Sequence, residues 1–172
     1  MKHLVLIGLM GAGKTTVGRV CAGRLDRAFV DTDDVVIALG GGAPIEEIFA
    51  VGGETRFREL ERAAIADITA SPAPLVIACG GGAATDAENR RRLRRAGVIV
   101  WLQAPVAVLA ERVGNGATRP LLAGGPVAAL TRLEAAREAA YEAAADITID
   151  TEDRDIEAVA EAVVAAFAGV EP

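Results

Sequence analysis

Aromatic side chains are scarce, with Phe, Tyr and Trp together making up 3% of the 172 residues. The core must therefore be built from Ala, Val, Leu and Ile, within an apolar fraction of 52%. There is one histidine, His3, and there are two cysteines, Cys21 and Cys79. That is too few ligands for a zinc site, and the cysteines have no metal-type spacing. They read as reduced core thiols of a cytoplasmic protein. No apolar run is long enough to span a bilayer. The longest uncharged stretch, Ile68 to Thr85, is broken by Pro72, Pro74 and Gly80 to Gly82, whereas a membrane helix needs about 20 apolar residues. Leu4 to Ile7 is shorter than the apolar part of a signal peptide, which takes about 7–15 residues. Positive charge is in deficit, with 18 Lys and Arg against 24 Asp and Glu and a pI near 4.9. That speaks against a protein that coats nucleic acid or anionic membrane. It leaves room for a small basic pocket. With no heptad and no long apolar edge, the chain reads as a monomer.

What is present is an alternation. Short apolar runs at 4–7, 28–31, 75–78, 98–102 and 147–149 read as strands. They do not alternate polar with apolar, so both faces of the sheet should be covered. Helical stretches fill 14–25, 53–69, 86–95, 105–112, 126–144 and 155–167. This order predicts one α/β domain over 1–172 with a parallel sheet of five strands and right-handed crossovers. Ligands should sit beyond the carboxyl ends of the strands. His3 is expected to face solvent at a strand start, and Trp101 to end a core strand. Two glycine-rich segments interrupt the pattern, Leu39 to Pro44 and Gly114 to Pro126. The second is long, carries Arg119, and has the character of a lid.

Gly8-Leu9-Met10-Gly11-Ala12-Gly13-Lys14-Thr15 has the spacing G-x-x-x-x-G-K-T. It follows an apolar strand and opens a helix, the context in which such a loop cradles phosphate. Backbone N–H groups turn inward and the helix N-terminus adds partial positive charge. Lys14 can reach the phosphates and Thr15 can ligate Mg²⁺. A second metal-organising group is needed, and the strands ending at Ala78 and Leu102 offer no Asp, whereas the one closing at Asp31 does. If Asp31-Thr32-Asp33 stays extended, both carboxylates point the same way. One could then organise magnesium through water and the other an acceptor hydroxyl. The alternative is that Asp33 or Asp34 caps the next helix.

The acceptor side is less explicit. Glu54, Arg58 and Glu61 share one helix face, which suits a ligand but equally a solvated ion-pair ladder. Gly80-Gly81-Gly82 closes a strand and permits close approach of backbone to a ligand. Arg137 stands on an Ala- and Glu-rich helix with Tyr141 one turn on, a setting that usually makes an arginine a surface residue.

Taken together, Gly8 to Thr16, Phe29-Val30-Asp31-Thr32-Asp33, Gly53-Glu54 with Phe57-Arg58 and Glu61, Gly80 to Gly82, Arg119-Pro120-Leu121-Leu122, and Arg137 with Tyr141 resemble the shikimate kinase family in order and spacing. The resemblance implies a three-layer P-loop NTPase fold like that of nucleoside monophosphate kinases. It places a substrate-binding region at about 32–62 and a mobile lid at about 112–126. It implies ATP- and Mg²⁺-dependent phosphorylation of the 3-hydroxyl of shikimate, on the route to chorismate and the aromatic amino acids. By position, Lys14, Asp33 and Arg119 are the catalytic set. Gly11, Ala12, Gly13, Lys14, Thr15, Thr16, Arg119 and Arg154 would meet the nucleotide. Asp33, Arg58, Gly80, Gly81, Gly82 and Arg137 would meet shikimate, the two arginines on its carboxylate. Thr15 would hold the metal directly, and Asp31 through water. The sequence departs from the family in lacking a Glu within 34–38 and in a glycine-rich turn one residue longer. A gluconate kinase of the same fold, or a nucleotide-dependent switch without transfer chemistry, remain the rival expectations.

Overall fold

A computed structural model describes residues 2–114 and 125–170. Five strands form one parallel sheet: β1 (His3–Ile7), β2 (Ala28–Asp31), β3 (Leu75–Ala78), β4 (Gly97–Gln103) and β5 (Ile147–Asp150). Their spatial order is β2-β3-β1-β4-β5. Parallel neighbours need long crossovers, and helices supply them. These are α1 (Lys14–Leu25), α2 (Thr32–Leu39), α3 (Ile45–Thr69), α4 (Ala87–Ala96), α5 (Val106–Val113), α6 (Pro126–Ala144) and α7 (Ile156–Ala168). A 3₁₀ turn, Ala83–Thr85, precedes α4.

The three central strands are buried along their length, as their unbroken apolar runs predict. Each fully buried Leu, Ile or Val there contributes about 1.5–3 kcal/mol of transfer free energy. The edge strands β2 and β5 are only partly covered. One core cluster spans both sheet faces and includes Cys21, Cys79, Trp101 and Phe167. A smaller one, built on Val36, Ile48, Phe57, Leu60 and Ala64, joins α2 to α3. Burial pushes the Cys21 thiol up to about 11 and the Cys79 thiol higher still. Both are neutral core groups.

Helix α3 bends at Gly53, where φ is 66° and the backbone leaves helical geometry. A residue with a Cβ would be strained there. The bend separates 45–52 from 54–69, so the longer piece begins where the sequence placed its start. Pro44 precedes the shorter piece, with Glu46 and Glu47 in its first turn, a favourable arrangement at a helix N-terminus.

His3 departs from expectation. It is 5% exposed, and its Nδ1 accepts the backbone N–H of Leu75 at 3.0 Å. Burial holds its pKa below 6.5, opposed by a backbone hydrogen bond at Thr69 and assisted by the charge of Arg27. The histidine thus joins the start of β1 to the start of β3, on the sheet edge opposite the phosphate loop.

Candidate active site

The loop between β1 and α1 is built by backbone. Gly11 and Gly13 have φ of 84° and 88°, a region L side chains rarely adopt. Gly13 is the N-cap of α1 and supplies no side-chain cap, and no acidic residue stands in the first turn. The helix thus opens with no carboxylate of its own at its positive end. Lys14 Nζ curls back over the loop, donating to Gly8 O at 2.8 Å and Leu9 O at 2.9 Å. Ala12 is buried beneath, while Thr15 and Thr16 are exposed on the first turn of α1.

Asp31 and Asp33 do not share an extended backbone. Helix α2 begins at Thr32, so the two carboxylates separate. The N-cap is Asp31 itself, whose Oδ1 accepts the Asp33 N–H at 3.1 Å. Neither Asp33 nor Asp34 takes that role. The other oxygen, Oδ2, accepts the Thr15 hydroxyl at 2.8 Å. A hydroxyl and a carboxylate oxygen beside a phosphate loop are hard donors. Mg²⁺ takes such ligands and usually keeps several waters, with one or two protein groups plus phosphate oxygens. The pair fits that ion. Among the described residues no cluster of three or more His, Cys, Asp or Glu could form a closed metal cage.

The end of β3 gathers the remaining groups. A Cβ built on Gly80 would stand 2.6 Å from Asp33 Oδ1. One on Gly81 would stand 2.9 Å from Arg137 Nη1, and one on Gly82 would stand 2.5 Å from Arg58 Nη1. A side chain at any of the three would push one of these charged tips aside. Through these glycines a carboxylate from α2, a guanidinium from α3 and a guanidinium from α6 converge on one stretch of backbone. Gly80 N–H is held by the buried Thr32 hydroxyl at 2.8 Å.

Each arginine is anchored. Arg58 donates to Glu61 at 2.8 Å and, more weakly, to the exposed Glu54 at 3.3 Å. Burial lowers the Arg58 pKa, but the Glu61 and Glu54 carboxylates outweigh it and the group is held above its ordinary value. Glu61 is 1% exposed. Burial pushes its pKa up, against the stabilising charge of Arg58. Its Oε1 has no hydrogen-bond partner within the described residues. The residue is therefore no part of a solvated ladder. Arg137 is 7% exposed, which removes the surface alternative for it as well.

Glu61 and Arg112 are the residues whose place sequence reasoning undervalued or missed. Arg112, in the last turn of α5, donates to the Thr151 hydroxyl at 2.9 Å and the Thr151 carbonyl at 2.7 Å. It ties α5 to the segment carrying the exposed Arg154. Arg119 and the central part of the expected lid lie outside the described residues.

This geometry has close counterparts. The shikimate kinase family model matches residues 10–168. That match covers most of the chain, and it decides the family. The chain belongs to the shikimate kinases. It is 46% identical over 160 residues to the shikimate kinase of Symbiobacterium thermophilum, covering 91% of each sequence. It is 45% identical over 149 residues to that of Neisseria meningitidis serogroup C, covering 86% of each. Among solved structures it matches the shikimate kinase from Acinetobacter baumannii in complex with shikimate. That match has a TM-score of 0.92 and 36% identity, and covers 98% of this chain and 94% of the other. As a family member the chain is a phosphotransferase with ATP as co-substrate and Mg²⁺ as its metal. The P-loop fold and the five-stranded parallel sheet are those the resemblance implied.

Proposed function

We propose that this chain phosphorylates the 3-hydroxyl of shikimate with ATP, using the glycine bend at 80–82 as the floor of its acceptor pocket. The observation that carries the assignment of residues is the convergence of Asp33, Arg58 and Arg137 on that bend. Two guanidinium groups suit a planar carboxylate, each offering paired donors. Asp33 stands at the other end of the bend, where it can accept a proton from, and orient, a ring hydroxyl. The pocket therefore has a carboxylate-binding end and a hydroxyl-activating end.

Phosphoryl transfer asks mainly for positioning and for neutralisation of charge on the transferring group. The loop amides from Gly11 to Lys14, with Thr15 and Thr16, would bind the nucleotide phosphates. Lys14 would exchange its two loop carbonyls for phosphate oxygens. Thr15 and, through water, Asp31 would hold Mg²⁺, which neutralises phosphate charge when bound. Glu61 keeps the Arg58 guanidinium in place. Arg119 is the further cation the family pattern assigns to the phosphates, and Arg154 the group it places near the base. The substrate-binding region is assigned to about 32–62 and the lid to about 112–126.

The exposed large apolar residues described here, Leu39, Val51, Val127, Ile156 and Val170, are spread over separate elements. This supports a monomer. No helix among the described residues is long and apolar enough to cross a membrane. We assign the chain to the cytoplasm, acting on shikimate and ATP and not on nucleic acid. The test is ADP release with Mg-ATP in parallel reactions holding shikimate, gluconate, a nucleoside monophosphate or no acceptor. Release with shikimate alone is expected. Turnover with gluconate instead, or ADP release without any acceptor, would overturn the assignment.

A further inference from the structure

Tyr141 stands where two parts of the proposed carboxylate clamp meet. Its hydroxyl donates to Gly81 O at 2.5 Å and shares the Gly81 bend with the Arg137 guanidinium, one helical turn earlier on α6: a Cβ built on Gly81 would stand 2.9 Å from Arg137 Nη1 and 3.8 Å from the Tyr141 hydroxyl. The ring is 1% exposed and packs against Trp101 with ring centroids 5.6 Å apart. A phenylalanine would fill the same space. What tyrosine adds is one buried hydroxyl, and a buried hydroxyl has to be partnered. Here a backbone carbonyl from the end of β3 accepts from it, and a guanidinium from its own helix lies beside it.

We propose that Tyr141 is a positioning residue for the acceptor carboxylate, its hydroxyl tying the Arg137 guanidinium to the Gly81 backbone so that both face the ligand at a fixed separation. The inference rests on the reading that Arg137 grips the shikimate carboxylate. A long arginine has many rotamers, and a glycine backbone resists displacement weakly. The shared hydroxyl removes freedom from both before the ligand arrives, so less ordering remains for binding to supply. Thr32 holds the preceding residue through Gly80 N–H, so the bend is fixed on both sides. Burial raises the Tyr141 pKa against the lowering effect of Arg137. The phenol stays a donor across the working pH range.

The test is steady-state kinetics of the full chain as wild type, Tyr141→Phe, Arg137→Ala and the double variant, with melting temperatures. Tyr141→Phe should raise the shikimate KM about five- to tenfold, the scale of one lost hydrogen bond. Its kcat, ATP KM and Tm should stay near wild type. Arg137→Ala should raise the shikimate KM more, and adding Tyr141→Phe to it should change little, because the hydroxyl acts through that arginine and the glycine beside it. An unchanged shikimate KM in Tyr141→Phe, with a raised one in Arg137→Ala, would overturn this inference and leave the clamp standing. An unchanged KM in Arg137→Ala would overturn the clamp and this inference together. Equal changes in shikimate and ATP KM, or a collapse of Tm in Tyr141→Phe, would make the hydroxyl a general structural brace and overturn the positioning role.

Discussion

The two halves of the site are made differently. The phosphate cradle is one contiguous stretch, Gly8 to Thr15, shaped by backbone and closed by a lysine that bonds to its own loop. The proposed acceptor pocket is drawn from four places: the first turn of α2, the inner face of α3, the end of β3 and the middle of α6. In the first, glycines supply conformation. In the second, they supply space, since none of Gly80, Gly81 and Gly82 has positive φ and each would crowd a charged side chain if it carried a Cβ. A loop can thus be specified by a short string of residues, whereas a pocket for a small acid needs the whole fold to deliver its groups.

Substitutions can separate the halves. The largest effect is expected from Lys14→Ala, which should lower turnover at least about 10²–10³-fold, the scale of losing a preorganised donor to developing charge. Shikimate binding measured by calorimetry without nucleotide should barely change, and a parallel loss there would erase the distinction. Next comes Arg58→Ala. It should cost about 2–5 kcal/mol in kcat/KM for shikimate, because one guanidinium of the clamp is gone and the buried Glu61 loses its hydrogen-bonded cation. The ATP KM should hold; if it alone moved, Arg58 would belong to the other half. Gly82→Ala should be milder. Its methyl would force aside the tip of Arg58, a flexible group, and raise the shikimate KM about tenfold, or ~1.4 kcal/mol. A silent Gly82→Ala would mean that the close approach carries no selectivity.

The smallest effect belongs to neither half. His3 has a folded pKa below its unfolded value. Its contribution is present above pH 6.5 and is lost as pH falls toward the folded value, because the unfolded chain binds the proton first. Tm should therefore fall on acidification below pH 6.5. His3→Gln should flatten that part of the profile without altering either KM. An unchanged slope in the variant would assign the acid sensitivity to another group.

The fold could be read from the chain because its signals are local. Unbroken runs such as Val98 to Leu102 marked buried parallel strands, and the boundaries of α1 and α6 follow from Lys14 after Gly13 and from Pro126. The cradle was local too. What failed depended mostly on contacts distant in sequence, the local cap at Asp31 excepted. His3 was expected at the surface because its acceptor role involves Leu75, on a different strand. Asp31 and Asp33 share a direction only if the backbone stays extended, and Asp followed by Thr-Asp-Asp is also a capping signal, read at Asp33 or Asp34 instead of Asp31. The cap won because Asp31 Oδ1 could take the Asp33 amide. The spacing of Arg58 and Glu61 fits a solvated ladder as well as it fits a buried pair. Only the packing of α3 over the end of β3 distinguishes them. Arg112 showed no signal at all, since its partner Thr151 belongs to the segment after β5.

The buried carboxylate of Glu61 has a consequence for how an anion reaches this site. Glu61 interacts with both Arg58 and Arg137, and Asp33 stands at the same bend. The arginines are thus largely compensated before any ligand arrives, inside a protein whose net charge is −6. Little attractive field extends beyond the mouth of the pocket to draw in an acid from solution, and the molecule as a whole repels it weakly. Salt screens that repulsion over roughly 10 Å at 0.1 M. The association rate of a carboxylate ligand should therefore hold steady or rise slightly with ionic strength. A pocket that captured anions through an open positive surface would show the opposite trend.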